Sequence, residues 1–356
     1  MLIVAGPSGD AGHDAGPHHP EHPGRLDAVM QGVADLHLGD DLVHLDATPA
    51  PIEDLLRVHT PEYLEALEAF CGRGGGEIDP DTYARGDSFE LARRAAGAGL
   101  SAVSTLEARG DGIAFVAVRP PGHHALANRA MGFCLLNNVA IAAAARTARG
   151  ERVLIVDWDV HHGNGTQDLF WDDPNVLYVS AHQWPLYPGT GRASEVGGAD
   201  ALGLTVNLPL PPGTTGDVMR EALEEVASPT VDAFDPDWVF VSCGFDAHRD
   251  DPLGELALTS GDFARMATLV GSFARRPGRL ALFLEGGYSA SALRSSTAAA
   301  LGALLGADVD EEPPSQNGPG AEAITMTQTA RSRAMLAGQE HGADAPTERL
   351  RRHRGK

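Results

Sequence analysis

At 356 residues and 43% hydrophobic content, the chain is long enough for one large domain or two ordinary ones, each with a full apolar core. Its net charge of −22 argues against a nucleic-acid surface, which needs a basic face, and mildly favours a cationic substrate. The only lysine is Lys356, so a Schiff-base lysine, a phosphate-loop lysine and a Ser–Lys dyad are excluded from the body of the chain.

The opening stretch, 1-MLIVAGPSGD-10, reads as a first strand. It is too short, and lacks the positive flank, for a signal peptide. No apolar run approaches the roughly 18 residues of a membrane helix. A cytoplasmic protein with no membrane partner is expected. Apolar strand candidates follow at 113-IAFVAV-118, 153-VLIV-156, 176-VLYVS-180, 204-LTVNL-208, 238-WVFVS-242 and 280-LALFL-284. Helical stretches at 88–108, 138–148, 217–227 and 261–274 lie between them. Continuous apolar strands interleaved with helices imply an α/β fold, with a mostly parallel sheet covered on both faces. The site then belongs in loops at the carboxyl ends of the strands. Cys71, Cys134 and Cys243 are odd in number and far apart, which gives neither a disulfide framework nor a thiolate metal site. After residue 306 the composition turns polar and rich in Pro and Gly. The expected division is a domain over 1–306 and a tail over 307–356, with a short helix near 324–336.

The densest chemistry is 153-VLIVDWDVHHGNGTQ-167. On an extended chain Asp157, Asp159 and His161 share one face. Two carboxylates and an imidazole packed together repel and desolvate badly unless a cation joins them. Oxygen and nitrogen donors without sulfur suit a catalytic zinc, or iron(II). A second cluster, in 119-RPPGHHALANRAMGFCLLNN-138, places His123 and His124 in a Pro-Gly turn after a strand, a context for proton transfer. A third strand end offers Asp246 and His248, and a fourth, 282-LFLEGGYS-289, places Tyr288 where its hydroxyl can donate to an oxyanion.

These pieces keep one order over roughly residues 10–305, together with 20-PEHPGRL-26, 59-HTPEYLEAL-67, 179-VSAHQ-183, 188-PGTG-191 and 244-GFDAHRDDPLG-254. In that order the chain resembles the histone deacetylase superfamily, and within it the class II-like bacterial deacetylases and acetylpolyamine amidohydrolases. The resemblance implies a single arginase-like α/β domain that hydrolyses the amide of an acylated amine, most readily acetyl-lysine in a peptide or protein. It implies Zn2+ on Asp159, His161 and Asp246, with Fe2+ as the alternative in the cell. A structural K+ would be held by Asp157 and Ser180, with Asp159 and His161. His124 would be the general base and then acid, His123 an electrostatic partner backed by Asp157, and Tyr288 the oxyanion donor. Asn164 stands where class I members carry an aspartate, which leaves His124 more weakly supported as an imidazolium. Gly132, Phe133 and Tyr187 would wall a narrow tunnel. Leu253 stands where polyamine-selective relatives carry a glutamate, which favours acyl-lysine. An acidic gatekeeper elsewhere stays open, with Asp87 and Glu21 as candidates.

Three competing readings remain at this point. An acetylpolyamine amidohydrolase shares the chemistry. A dimanganese ureohydrolase of the arginase type needs further aspartates, and 245-FDAHRDD-251 has different spacing. A non-catalytic binding module would be expected to have lost the tyrosine, a ligand or the histidines, and this chain keeps all of them.

Overall fold

The computed structural model describes residues 1–6 and 12–343. Its strands are β1 (Leu2–Gly6), β2 (Leu42–Asp46), β3 (Gly75–Glu77), β4 (Tyr83–Arg85), β5 (Ile113–Val116), β6 (Val153–Asp157), β7 (Val176–Gln183), β8 (Thr205–Leu210), β9 (Trp238–Cys243) and β10 (Leu280–Leu284). Eight of them form one sheet in the order β2-β1-β5-β10-β9-β6-β7-β8, and β3 and β4 pair separately as a hairpin. Every pairing in the large sheet is parallel. The central strands β5, β6, β9 and β10 are almost wholly apolar because both faces of the sheet are covered there. In β6, Leu154 and Val156 enter one core while Val153 and Ile155 enter the other. In β1, Leu2 and Val4 part from Ile3 and Ala5 in the same way.

The helices are α1 (Gly24–Ala34), α2 (Ile52–Leu55), α3 (Pro61–Gly72), α4 (Ser88–Arg109), α5 (Asn138–Thr147), α6 (Asn164–Leu169), α7 (Gly216–Ala222), α8 (Ser228–Phe234), α9 (Ser260–Ser272), α10 (Ala290–Leu305) and α11 (Ala321–Ala343). Residues of α3, α4 and α5 build one core, and those of α1, α7, α8, α9 and α10 the other. Local chemistry sets the starts. The Asn137 side chain accepts the Ala140 amide at 3.1 Å to cap α5, and Thr259 and Asp262 form a reciprocal capping box on α9. Each such cap is worth about 1 kcal/mol. The stretch expected as one helix over 217–227 is α7 followed by a π-helical segment, Leu223–Ala227, which runs on into α8.

Residues 307–343 do not behave as a loose tail. Glu312 accepts from His248 Nε2 at 2.8 Å and from the Ser260 amide at 3.1 Å, and the Ser315 amide donates to Asp262 at 3.0 Å. The helix expected near 324–336 runs the length of α11 and lies against β8 at the sheet edge. Ile324, Thr327 and Arg331 are buried there, and the Arg331 guanidinium donates to the carbonyls of Gly203 and Thr205. Covering an edge in this way blocks further strand pairing. The basic cluster at the very end of the chain lies outside the described residues.

Candidate active site

All strands of the large sheet run the same way, so the loops after β5, β6, β9 and β10 emerge at one edge. These four strands are neighbours, and their loops, with Leu186 and Tyr187 after β7 and Asp81 between β3 and β4, line a cavity of about 250 Å³. Its lining includes His123, His124, Gly132, Phe133, His161, Tyr187, Leu253 and Tyr288.

At its base, ligand atoms of Asp159, His161 and Asp246 lie within 4.8 Å of one another, a group of three buried side chains able to hold a metal ion. His161 Nδ1 is 3.0 Å from Asp159 Oδ1 and 3.2 Å from Asp246 Oδ2. The remaining contacts hold the carboxylates in place. The Gly286 amide donates to Asp159 Oδ2 at 2.8 Å, and the Val160 amide to Asp246 Oδ1 at 2.9 Å. Asp246 Oδ2 is buried and, apart from its 3.2 Å approach to His161 Nδ1, meets no hydrogen-bond partner among the described residues. Burial, and then the charge of Asp159, push the Asp246 carboxyl up to about 7. Burying such carboxylates costs several kcal/mol each unless paired, and a divalent ion removes that cost. A β-carbon on Gly286 would lie 1.9 Å from Asp246 Oδ2, so only glycine lets the chain pass so close. The donor set, with its carboxylates buried and packed against an imidazole, fits a single divalent cation.

The paired imidazoles lie beside this group with ring centroids 4.0 Å apart. His123 Nδ1 donates to Asp157 Oδ2 at 3.0 Å, and His124 Nδ1 to Asn164 Oδ1 at 2.8 Å. Burial disfavours the charged form of both. For His123 the Asp157 and Asp159 carboxylates outweigh it and raise the pKa well above the ordinary value. For His124 burial and the neighbouring His123 and His161 act together and hold it well below. The two rings are thus pushed in opposite directions, His123 towards its charged form and His124 towards its neutral form. Asp157 also accepts from the Tyr178 hydroxyl at 3.1 Å and pairs in register with Ser180, whose hydroxyl meets His182 Nδ1 at 2.9 Å.

Tyr187 stands edge-on to His124 at 5.2 Å, and Phe133 edge-on to Tyr288 at 5.8 Å. Phe133 adopts φ 67°, a strained conformation for a bulky residue, in the tunnel wall. Glu21, Asp87 and His248 are not part of the cavity lining. Glu21 is buried; desolvation alone would raise its carboxyl, but Arg119 and Arg25 hold it down at about 2. Asp87 is an exposed residue at the start of α4, and His248 faces Glu312. Four residues outside the expected set matter instead. Asp81 lines the cavity. Glu285 accepts the amides of Gly122 (2.6 Å) and His123 (3.1 Å). Arg25 donates to the carbonyl of Gly287 at 2.6 Å. Asp251 accepts the amide of Tyr288 at 2.6 Å. The runs PGRL, HRDDPLG and EGGYS contain three of them, but the partners are main-chain atoms of other loops, which side-chain spacing does not reveal.

The histone deacetylase domain model matches residues 19–304. The "Probable deacetylase" of Archaeoglobus fulgidus is 40% identical over 303 residues, 83% of this chain and 84% of that one. The "Histone deacetylase-like amidohydrolase" of Pseudomonas aeruginosa is 41% identical over 248 residues, 68% and 65% of the two chains. Among solved structures, the HDA15 HD domain superposes with a TM-score of 0.80 at 35% identity, covering 96% of this chain and 98% of that one. By sequence, fold and the arrangement of its cavity, the chain belongs to the histone deacetylase family, a family of hydrolases that are generally metal-dependent.

Proposed function

We propose that the chain is a zinc-dependent deacetylase that hydrolyses the amide of an acylated amine, with acetyl-lysine in a peptide or protein as the preferred class. The carrying observation is the buried Asp159, His161 and Asp246 group at the base of a cavity that also presents a phenol and two imidazoles, one hydrogen-bonded to the Asp157 carboxylate and the other to the Asn164 amide. A zinc ion held by those three side chains supplies Lewis acidity, polarising the acyl carbonyl and lowering the pKa of water towards 7. The same donors suit iron(II) in the cell. Asp157 and Ser180, with Asp159 and His161, form the proposed K+ site.

With Asn164 accepting from Nδ1, His124 keeps its Nε2 lone pair free to take the proton of the attacking water. The charged His123, fixed by Asp157, favours negative charge developing at the carbonyl oxygen. The Tyr288 hydroxyl donates to that oxygen. A protonated imidazole then delivers a proton to the departing amine nitrogen, leaving a carboxylate and a free amine. The apolar walls of Phe133, Tyr187 and Leu253 suit the methylenes of a lysine side chain.

Asp81 in the cavity lining favours a second substrate, an acetylated polyamine, because a carboxylate there could meet a distant ammonium group. Metal-defined protein assayed with an acetyl-lysine peptide and with acetylspermidine separates the two. Turnover of acetylspermidine at about a hundredfold greater kcat/KM would overturn the acyl-lysine assignment. No turnover across a broad acyl panel would overturn the deacetylase reading.

A further inference from the structure

We propose that Asp251 is a positioning residue for Tyr288: its carboxylate clamps the main chain of the phenol-bearing loop and so fixes where the hydroxyl sits over the reacting carbonyl. The inference rests on the hydrolase reading above. Asp251 is 6% exposed and touches no reacting atom in that scheme. Its Oδ2 accepts the amides of Tyr288 at 2.6 Å and Ser289 at 3.2 Å. Its Oδ1 accepts the amide of Leu253 at 3.0 Å. One side chain on the loop after β9 thus holds both the Leu253 wall and the end of the loop that bears the phenol.

The need for such a clamp is local. Tyr288 follows Gly286 and Gly287, and Gly287 adopts φ 118°, a conformation with few constraints of its own. The loop is gripped from two sides by opposite charges. Arg25 donates from Nε to the Gly287 carbonyl at 2.6 Å and from a terminal nitrogen to the Glu285 carbonyl at 2.5 Å, and its guanidinium lies 4.8 Å from the Tyr288 ring centroid. Asp251 takes the amides that follow. Guanidinium on carbonyls and carboxylate on amides leave the phenol little freedom. The bland alternative is a carboxylate that merely caps the amino end of α10, which begins at Ala290. That role would alter stability without acting through Tyr288.

Asp251→Asn keeps the shape but turns one acceptor into a donor facing backbone N–H groups. The test compares wild type, Asp251→Asn, Tyr288→Phe and the double variant, each loaded with one zinc, for kcat and KM on an acetyl-lysine peptide. Asp251→Asn should lower kcat about 10- to 100-fold with little change in KM. The double variant should be no slower than Tyr288→Phe alone. Hydrogen exchange at the Tyr288 and Ser289 amides should be slow in wild type and faster in Asp251→Asn, with zinc content unchanged. Wild-type rates in Asp251→Asn, or losses that multiply in the double variant, would overturn the proposal. Should Asp251→Asn fail to fold, the wild-type amides decide: protected amides support the clamp, and unprotected ones remove it. A wild type inert on every acyl substrate would overturn the hydrolase reading itself, and the positioning role with it.

Discussion

Two imidazoles with centroids 4.0 Å apart do not both carry a positive charge cheaply, and the residues around them favour that charge on one of them. A carboxylate, Asp157, faces His123, whereas a neutral amide, Asn164, faces His124. In the proposed mechanism this asymmetry would give one repeated residue two roles, an electrostatic partner and a base. There the third participant, Tyr288, would donate a hydrogen bond that matters most when negative charge develops. Tyr288→Phe should therefore lower kcat by roughly 10²-fold or more while the metal content stays at one per chain, checked by steady-state kinetics and elemental analysis. Asp246→Ala removes one of the three proposed ligands and should abolish metal retention. A variant that still carried one zinc after dialysis would contradict the ligand assignment. The histidine pair and the Asp-x-Asp-x-His run stood out by residue type and spacing, whereas the expected roles of Asp246 and Tyr288 rested on the family resemblance. Asp251, Glu285 and Arg25 were not legible, since each acts on amides or carbonyls of a loop distant in sequence.

Among the elements, the buried strands were legible from their unbroken apolar runs. The edge strand β2, 42-LVHLD-46, is half exposed, and the β3–β4 hairpin has glycines where a strand signal would be, so neither stood out. Helix α11 was underestimated because its polar composition hides a single docking stripe around Ile324, Thr327 and Arg331. Arg331→Met would leave the carbonyls of Gly203 and Thr205 unpaired. It should cost about 1–3 kcal/mol of stability in a denaturant titration, with kcat unchanged. His59 gives a pH-dependent case at the start of α3. Its Nε2 accepts the Asn137 amide at 3.0 Å, and its Nδ1 donates to the Leu126 carbonyl at 3.0 Å, so the ring is held neutral. Burial lowers its pKa to about 4, against 6.5 for a free imidazole. A histidine depressed on folding contributes stability that is fully present above pH 6.5 and is lost as pH falls towards 4. The loss amounts to about 3 kcal/mol. Urea unfolding of His59→Gln across that window should show a shallower decline than wild type. An identical slope would mean that the ring is not held neutral in the folded state.

At the scale of the whole molecule, parallel strands buried on both faces bring the loops after β5, β6, β9 and β10 to one edge, and that convergence assembles the cavity. The alternation of strand and helix was enough to place the site at the carboxyl edge. It was not enough to order the strands, because β5 and β10 are neighbours in space yet far apart in the chain. The most direct measurement is zinc titration of metal-stripped protein, with hydrolysis of an acetyl-lysine peptide as the readout. Activity should be absent without metal and rise in proportion to added zinc until one ion is bound per chain. Equal hydrolysis by the metal-free protein, or activity that appears only with a second ion bound, would contradict a single-ion site built on Asp159, His161 and Asp246.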